Sequence, residues 1–302
     1  MSVSVIIPNY NGKKLLEKYL PSVFLSLEES DEVIVVDDHS SDSSIEFLRS
    51  KYPQVQIVQN VTNRRFAFSC NQGVHEAKNE ICVLLNNDVQ PSVGFLDPLV
   101  QALNKSERVF AVGCLEKNLD GKLSGRSSGE FRRGLLVHWR AKDQKKTSTL
   151  WASGGSMAFR KSLWNKLGGM DETFAPAYWE DIDICYRAVK SGYVVVFEPQ
   201  SLVFHQHETT NKKALGEVAL QIASFKNMFL FFWKNVTAST LIREHVLWLP
   251  YHLVRGTMRS RGLLLLGFFQ ALIQLPKILD NRKHLASRWK LQDHEVIEKS
   301  SI

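Results

Sequence analysis

Three groups of carboxylates in this 302-residue chain are spaced to do chemistry. Asp37 and Asp38 follow the apolar run Val33-Ile34-Val35-Val36. Asp88 follows Val83-Leu84-Leu85, and Glu180 and Asp181 open a segment with helical periodicity. The two apolar runs read as buried parallel strands. In open α/β sheets ligands bind beyond the carboxyl ends of such strands. A carboxylate there can accept from a hydroxyl or a base N–H, ligate a hard divalent cation, or carry a proton. The three stations point to an enzyme that handles a charged ligand.

The elements that must position them alternate in type. Val3–Pro8 reads as a strand, and Lys13–Leu27 as a helix with Leu15, Leu16, Tyr19, Leu20, Val23, Phe24 and Leu27 at i, i+3, i+4 spacing and Pro21 interrupting it. Strand Glu32–Asp37 follows, then a helix capped by Ser41 or Asp42 and running to about Tyr52. Val55–Gln59, Phe66–Lys78 and Ile81–Leu85 continue the pattern as strand, helix, strand. Such alternation predicts an α/β fold with a mostly parallel sheet flanked by helices. Lys117–Thr149 is polar, basic and without period, and is expected to be a long functional loop. Ala152–Arg160 reads as a strand after a Gly154-Gly155 turn. Glu180–Ser191 reads as a helix ending at Gly192, and Val194–Phe197 and Leu202–His205 as two strands.

Charge divides the chain. Residues 1–224 are neutral, whereas residues 225–290 carry eleven lysines and arginines against only Glu244 and Asp280. This C-terminal region is also rich in Phe, Trp and Leu. Its longest apolar run, Gly262–Pro276, falls short of the ~18 residues expected of a membrane-spanning helix. A basic helical region from residue 214 onward, lying on an anionic membrane surface, is the expectation; a helical appendage packed on the preceding domain is the plainer reading. No nucleic-acid motif accompanies the charge, and no nucleic acid is expected. Four scattered cysteines without a C-x-x-C predict buried, reduced thiols in a cytoplasmic protein. A strand beginning at Val3 leaves no room for a signal peptide.

The motifs along residues 3–207 resemble those of glycosyltransferase family 2, with the rhamnosyltransferase-like members of bacterial surface polysaccharide synthesis as the subgroup. They are Ser4-Val5-Ile6-Ile7-Pro8-Asn9-Tyr10-Asn11, Val35-Val36-Asp37-Asp38-His39-Ser40 and Asn71-Gln72-Gly73. Leu84-Leu85-Asn86-Asn87-Asp88, Gly154-Gly155-Ser156-Met157 and Trp179-Glu180-Asp181-Ile182-Asp183 follow in the family's order. The resemblance implies a GT-A-type, Rossmann-like catalytic domain over residues 1–213. It also implies a nucleoside-diphosphate sugar donor, a saccharide or lipid-linked saccharide acceptor, Mg²⁺ or Mn²⁺, and inversion at the anomeric carbon. Attachment to the cytoplasmic face of the cell membrane would then present the lipid-linked acceptor.

Within that resemblance each residue has an expected place. Pro8, Tyr10, Asn11, Asp37 and Asp38 would hold the nucleoside. Asn71, Asn87, Gly154 and Gly155 would line the donor pocket, the glycines letting backbone approach the sugar and phosphates. Asp88 stands where the family carries a D-x-D metal motif. Here the motif reads Asn86-Asn87-Asp88, so one carboxylate is missing and the donor's phosphates must supply ligands. His205, and less well His207, match a histidine that completes the metal site. Asp181 matches the base that takes the acceptor proton, and Glu180 would orient the acceptor or backbone. Asp183 and Arg187 read as a helix ion pair at i, i+4. Arg64-Arg65 departs from the family, which often carries glycine there.

Two other readings remain. A nucleotidyltransferase can share the sheet, but Asn9-Tyr10-Asn11-Gly12 supplies no glycine-rich phosphate loop. A catalytically impaired sugar-nucleotide-binding or membrane scaffold protein would explain the incomplete metal motif, but not a retained Asp181.

Overall fold

A computed structural model describes residues 1–205 and 215–300. The predicted 213/214 boundary and His207 lie outside the described residues. Strands β1 (Val3–Asn9), β2 (Glu32–Asp37), β3 (Gln56–Gln59) and β4 (Ile81–Leu85) pair in parallel, in the order β3-β2-β1-β4. Helices α1 (Lys13–Phe24), α2 (Ser44–Lys51) and α3 (Arg65–Glu76) connect them. The chain fills one side of β1 and then crosses to the other. The strand order therefore reverses at β1, which is where α/β sheets open a ligand crevice.

Beyond β4 the sheet turns mixed. β10 (Ser156–Arg160) lies antiparallel between β4 and β6 (Val109–Asn118). β11 (Val194–His205) runs parallel to β6, and β5 (Val89–Pro91) closes the edge antiparallel to β11. The two strands expected in 194–205 are one strand, bent by a register shift between Glu198 and Leu202.

Alternate residues of the central strands feed two cores, as the period of two requires. Ile6, Ile34, Val36 and Leu84 pack on one face with α3, α5 (Lys161–Leu167) and α6 (Glu180–Lys190). Val5, Ile7, Val35 and Val83 pack on the other with α1 and α4 (Leu96–Asn104). Each such aliphatic side chain contributes roughly 1.5–3 kcal/mol on burial. All four cysteines are free and buried.

Residues 117–149 are not an irregular loop. They hold the short β7 (Leu123–Ser124), which pairs with β6, and a hairpin of β8 (Ser127–Arg132) and β9 (Leu135–Arg140). Its two-residue turn is Arg133-Gly134, with φ of 51° and 67°. Positive φ at both positions matches the twist of the flanking strands.

The C-terminal helices are α7 (Glu217–Asn235), α8 (Ser239–Tyr251), α9 (Leu263–Ala286) and α10 (Asp293–Lys299). The aromatic stripe of α7 is core: Phe231 is fully buried and meets Trp179 at 5.2 Å and Tyr186 at 5.1 Å. Gly267 of α9 lies so close to α7 that a Cβ there would stand 2.7 Å from Phe225 Cβ. Contrary to the sequence expectation, α9 runs through Pro276 for 24 residues and is long and apolar enough to cross a membrane. Only 28% of its most apolar window is buried.

Candidate active site

Asp37 ends β2 and is buried. Its Oδ1 accepts from Asn9 Nδ2 at 3.1 Å and its Oδ2 from the Ser40 amide at 2.9 Å. Asn9 Oδ1 in turn accepts from Asn87 Nδ2 at 2.9 Å. A buried relay, Asn87 to Asn9 to Asp37, thus joins the ends of β4, β1 and β2 across the switch point. Gly12 covers it closely: a Cβ there would stand 2.2 Å from Asn9 Oδ1 and 2.3 Å from Asn87 Nδ2. Pro8 and Tyr10 flank Asn9 and are half-buried. Asn11 is exposed, and its Oδ1 accepts from the Ser41 amide at 2.7 Å, tying the β1 loop to the β2 loop.

Asp38 does a different job. Its carboxylate accepts from the Arg64 amide, the Arg65 amide and Asn60 Nδ2, each at 2.8 Å. Arg65 sits at φ 73°. That is a conformation glycine adopts freely and arginine does not, so the Asp38 carboxylate holds the turn open. Asn71 is likewise engaged: its amide exchanges hydrogen bonds with Met170 N at 2.9 Å and Met170 O at 2.8 Å.

Asp88 and His205 meet where β4 and β11 end, with His205 Nε2 3.2 Å from Asp88 Oδ1. Two cis ligands of an octahedral cation bound at about 2.1 Å stand about 3 Å apart, so the pair fits one divalent ion. Among the described residues no three carboxylate, histidine or thiol groups gather as a metal cluster. Most of the coordination sphere would belong to the donor and water. On the far side of the ring His205 Nδ1 faces Glu116 Oε2 at 3.9 Å. Glu116 is buried on β6, with Ser156 Oγ donating to its Oε1 at 2.8 Å and Arg140 Nη2 at 3.7 Å from its Oε2. Burial opposes charge on Glu116, but His205 and Arg140 outweigh it and hold the carboxyl at about 2. Burial also works against protonating His205, yet Asp88 and Glu116 together lift it to about 9.

Asp181 lies in the first turn of α6, partly open to solvent. Its Oδ2 accepts from the Gly154 amide at 3.1 Å and its Oδ1 from the Ile182 amide at 2.8 Å. Gly154 and Gly155 are packed on both sides. A Cβ on Gly154 would meet Asp181 Cβ at 3.5 Å, and one on Gly155 would stand 2.7 Å from Asn86 Nδ2. The glycine turn thus links Asp181 to Asn86, two residues from Asp88. Glu180 is buried beside Asp181, and its Oε2 has no hydrogen-bond partner among the described residues. Burial raises both carboxyls, and the Asp181 charge pushes Glu180 up further. The Gly154 amide and Arg140 work against that rise at Asp181.

The loop before Asp181 is held under strain. Tyr178 and Trp179 have φ of 73° and 77°, where aromatic residues are outliers. Asn227 of α7 donates to the carbonyls of Phe174 (2.5 Å), Ala177 (3.0 Å) and Tyr178 (2.8 Å). Lys226 donates to those of Thr173 and Ala175. The Asp183–Arg187 pair predicted on α6 is present at 2.8 Å and fully buried. Lys234 of α7 bridges it to Asp171, with 2.8 Å to Asp183 and 2.7 Å to Asp171.

Sequence reading missed Glu116, Arg140, Lys226 and Asn227. Arg140 had a signal, an arginine closing an apolar strand within a basic stretch. The others look like ordinary strand or helix residues until their partners are brought in by the fold.

The family model described as Glycosyl transferase family 2 matches residues 4–168. An N-acetylglucosaminyl-diphospho-decaprenol L-rhamnosyltransferase of Mycobacterium tuberculosis is 23% identical, covering 84% of this chain and 94% of its own length. The O-antigen chain rhamnosyltransferase RfbN of Salmonella typhimurium is 22% identical over 70% of this chain and 69% of its own. Among solved structures, residues 1–349 of Staphylococcus aureus TarS superpose with a TM-score of 0.59 at 16% identity, covering 99% of this chain and 90% of that one. The mannosyltransferase PcManGT of Pyrobaculum calidifontis, solved with GDP-Man and Mn²⁺, gives 0.58 at 19% identity, covering 96% and 76%.

Proposed function

Because the chain belongs to glycosyl transferase family 2, and is a nucleotide-sugar glycosyltransferase of GT-A fold, we propose that it performs a single, inverting displacement at the crevice between β1, β4 and the start of α6. Rhamnosyltransferases of cell-wall and O-antigen synthesis among its relatives support polysaccharide or glycolipid synthesis as the setting. The comparisons favour neither the nucleotidyltransferase nor the inactive scaffold.

One observation carries the mechanism: the Asp181 carboxylate is docked on the Gly154-Gly155 turn, whose other side packs on Asn86 beside the Asp88–His205 pair. Asp181 takes the acceptor hydroxyl's proton as that oxygen bonds to the anomeric carbon. The bond from that carbon to the diphosphate oxygen breaks, and the electron pair leaves with the nucleoside diphosphate. Asp37, through the Asn87–Asn9 relay, fixes the nucleoside end relative to the diphosphate end. Asp38 shapes the Arg64-Arg65 turn beside it. Asp88 and His205 would hold Mg²⁺ or Mn²⁺, which neutralises the leaving diphosphate when bound. Product anomeric configuration read by proton NMR tests this. Inversion supports it, and retention removes Asp181 from the role of base.

The C-terminal surface supports peripheral attachment to an anionic membrane on the cytoplasmic side. Leu247, Val254 and Met258 are 75%, 65% and 76% exposed, and Phe269 and Ile273 of α9 are 54% and 80% exposed. Arg243, Arg255, Arg259 and Arg261 are exposed among them. With its other face packed on α7, α9 would lie in the interface instead of crossing it. Replacing Leu247 and Ile273 with Asp should cut pelleting with phosphatidylglycerol vesicles at least tenfold; unchanged pelleting would remove the membrane from the account.

A further inference from the structure

We propose that Glu116 is a positioning residue for the cation site, acting through His205: it orients the ring so that Nε2 faces the cation beside Asp88. This rests on the assignment of His205 as a metal ligand. The two carboxylates face different ring nitrogens, Asp88 Oδ1 to Nε2 at 3.2 Å and Glu116 Oε2 to Nδ1 at 3.9 Å. A metal-bound histidine commonly directs its other ring N–H at a carboxylate, which fixes the tautomer and raises the basicity of the ligating nitrogen.

Glu116 is built for that task. It stands on β6 with paired strands on both sides: Val203 of β11 opposite it in register on one flank and Ser124 of β7 on the other. The carboxylate is 1% exposed. Ser156 Oγ holds Oε1 at 2.8 Å, and Oε2 has no hydrogen-bond partner among the described residues. Arg140 Nη2, 3.7 Å away, balances the charge without closing on that oxygen. The free oxygen is therefore the one turned to the imidazole. A rigid second carboxylate behind His205 also compensates for the missing first carboxylate of Asn86-Asn87-Asp88: it makes a better ligand of the nitrogen where it cannot add an oxygen.

The test is Mn²⁺ binding, read by electron paramagnetic resonance, with whichever of UDP, GDP or dTDP raises the melting temperature most. Changing such an outer partner typically weakens metal binding 10–100-fold. E116Q should show a loss in that range with a melting temperature near that of the parent. In the H205A background E116Q should cost nothing further. Unchanged Mn²⁺ affinity in E116Q, or an equal loss in both backgrounds, overturns the proposal while leaving His205 a ligand. Unchanged affinity in H205A removes the ligand assignment itself, and the proposal with it. Should E116Q fail to fold, ¹⁵N spectra of the histidine-labelled parent with Mg²⁺ decide. Nδ1–H with Nε2 ligated supports the proposal, and ligation through Nδ1 overturns it.

Discussion

Replacing Asn227 with Ala tests whether the C-terminal region sets the geometry of catalysis. The Asn227 amide nitrogen serves the carbonyls of Phe174, Ala177 and Tyr178, although it has only two hydrogens, so one is shared. Truncation leaves these carbonyls without that donor beneath α7. A net loss of about 0.5–1.5 kcal/mol per bond, with some added desolvation cost, gives roughly 2–4 kcal/mol. At about 2 °C per kcal/mol for a chain of this size, the melting temperature falls roughly 4–8 °C. The functional effect is separate. Tyr178 and Trp179 are held at positive φ, a strain of order 1–3 kcal/mol each. Without the clamp they relax, and Asp181, two residues on from Trp179, shifts from the Gly154 amide. Misplacement by about 1 Å can cost about a hundredfold in rate. Single-turnover transfer at 15 °C, where N227A is still folded, should therefore fall 10–100-fold, with nucleoside-diphosphate affinity unchanged. A variant that melts early but turns over like the parent would refute the link from α7 to Asp181.

Other consequences are as direct. Gly12→Ala places a Cβ on the Asn9–Asn87 bond and should weaken nucleoside-diphosphate binding at least tenfold by calorimetry; unchanged affinity would show that the relay does not shape the site. Burial raises the Asp181 carboxyl, so kcat/KM should be lost, as pH falls, above the ordinary carboxylate value of about 4; an acid limb at or below 4 would contradict this. Glu180 is also raised, so the folded state binds its proton more tightly than the unfolded state does. That stabilisation is present at low pH and is lost as pH rises through the raised value. E180Q should therefore melt above the parent at pH 9 and lose the advantage at pH 5, and parallel melting curves would oppose this assignment.

The nucleotide half of the site is legible because its signals are local. Val33–Asp37 and Ile81–Asp88 are apolar runs ending in polar residues, which puts those polar residues at the carboxyl ends of buried strands, where the crevice opens. Two of the three acidic stations follow from that alone, and Glu180-Asp181 follows from the helical period that begins there. Asp38 is legible as a candidate, but its contacts here are not: they are backbone amides at Arg64 and Arg65, and amides carry no side-chain signature. The hairpin at Ser127–Arg140 is hidden because its signal is a two-residue Arg133-Gly134 turn, and β9 exposes Val137 and Trp139, blurring the alternation. Glu116 and Asn227 are invisible for a third reason. Their meaning lies wholly in partners from distant elements, and only the fold brings those together.

The most direct measurement is transfer by D181N beside its affinity for nucleoside diphosphate with Mn²⁺. The amide keeps the side chain's shape but cannot take a proton. Loss of the general base predicts that turnover slows by roughly two to four orders of magnitude, with binding of the nucleotide within about threefold of the parent. Turnover within tenfold of the parent in D181N would contradict the assignment of Asp181 as the base.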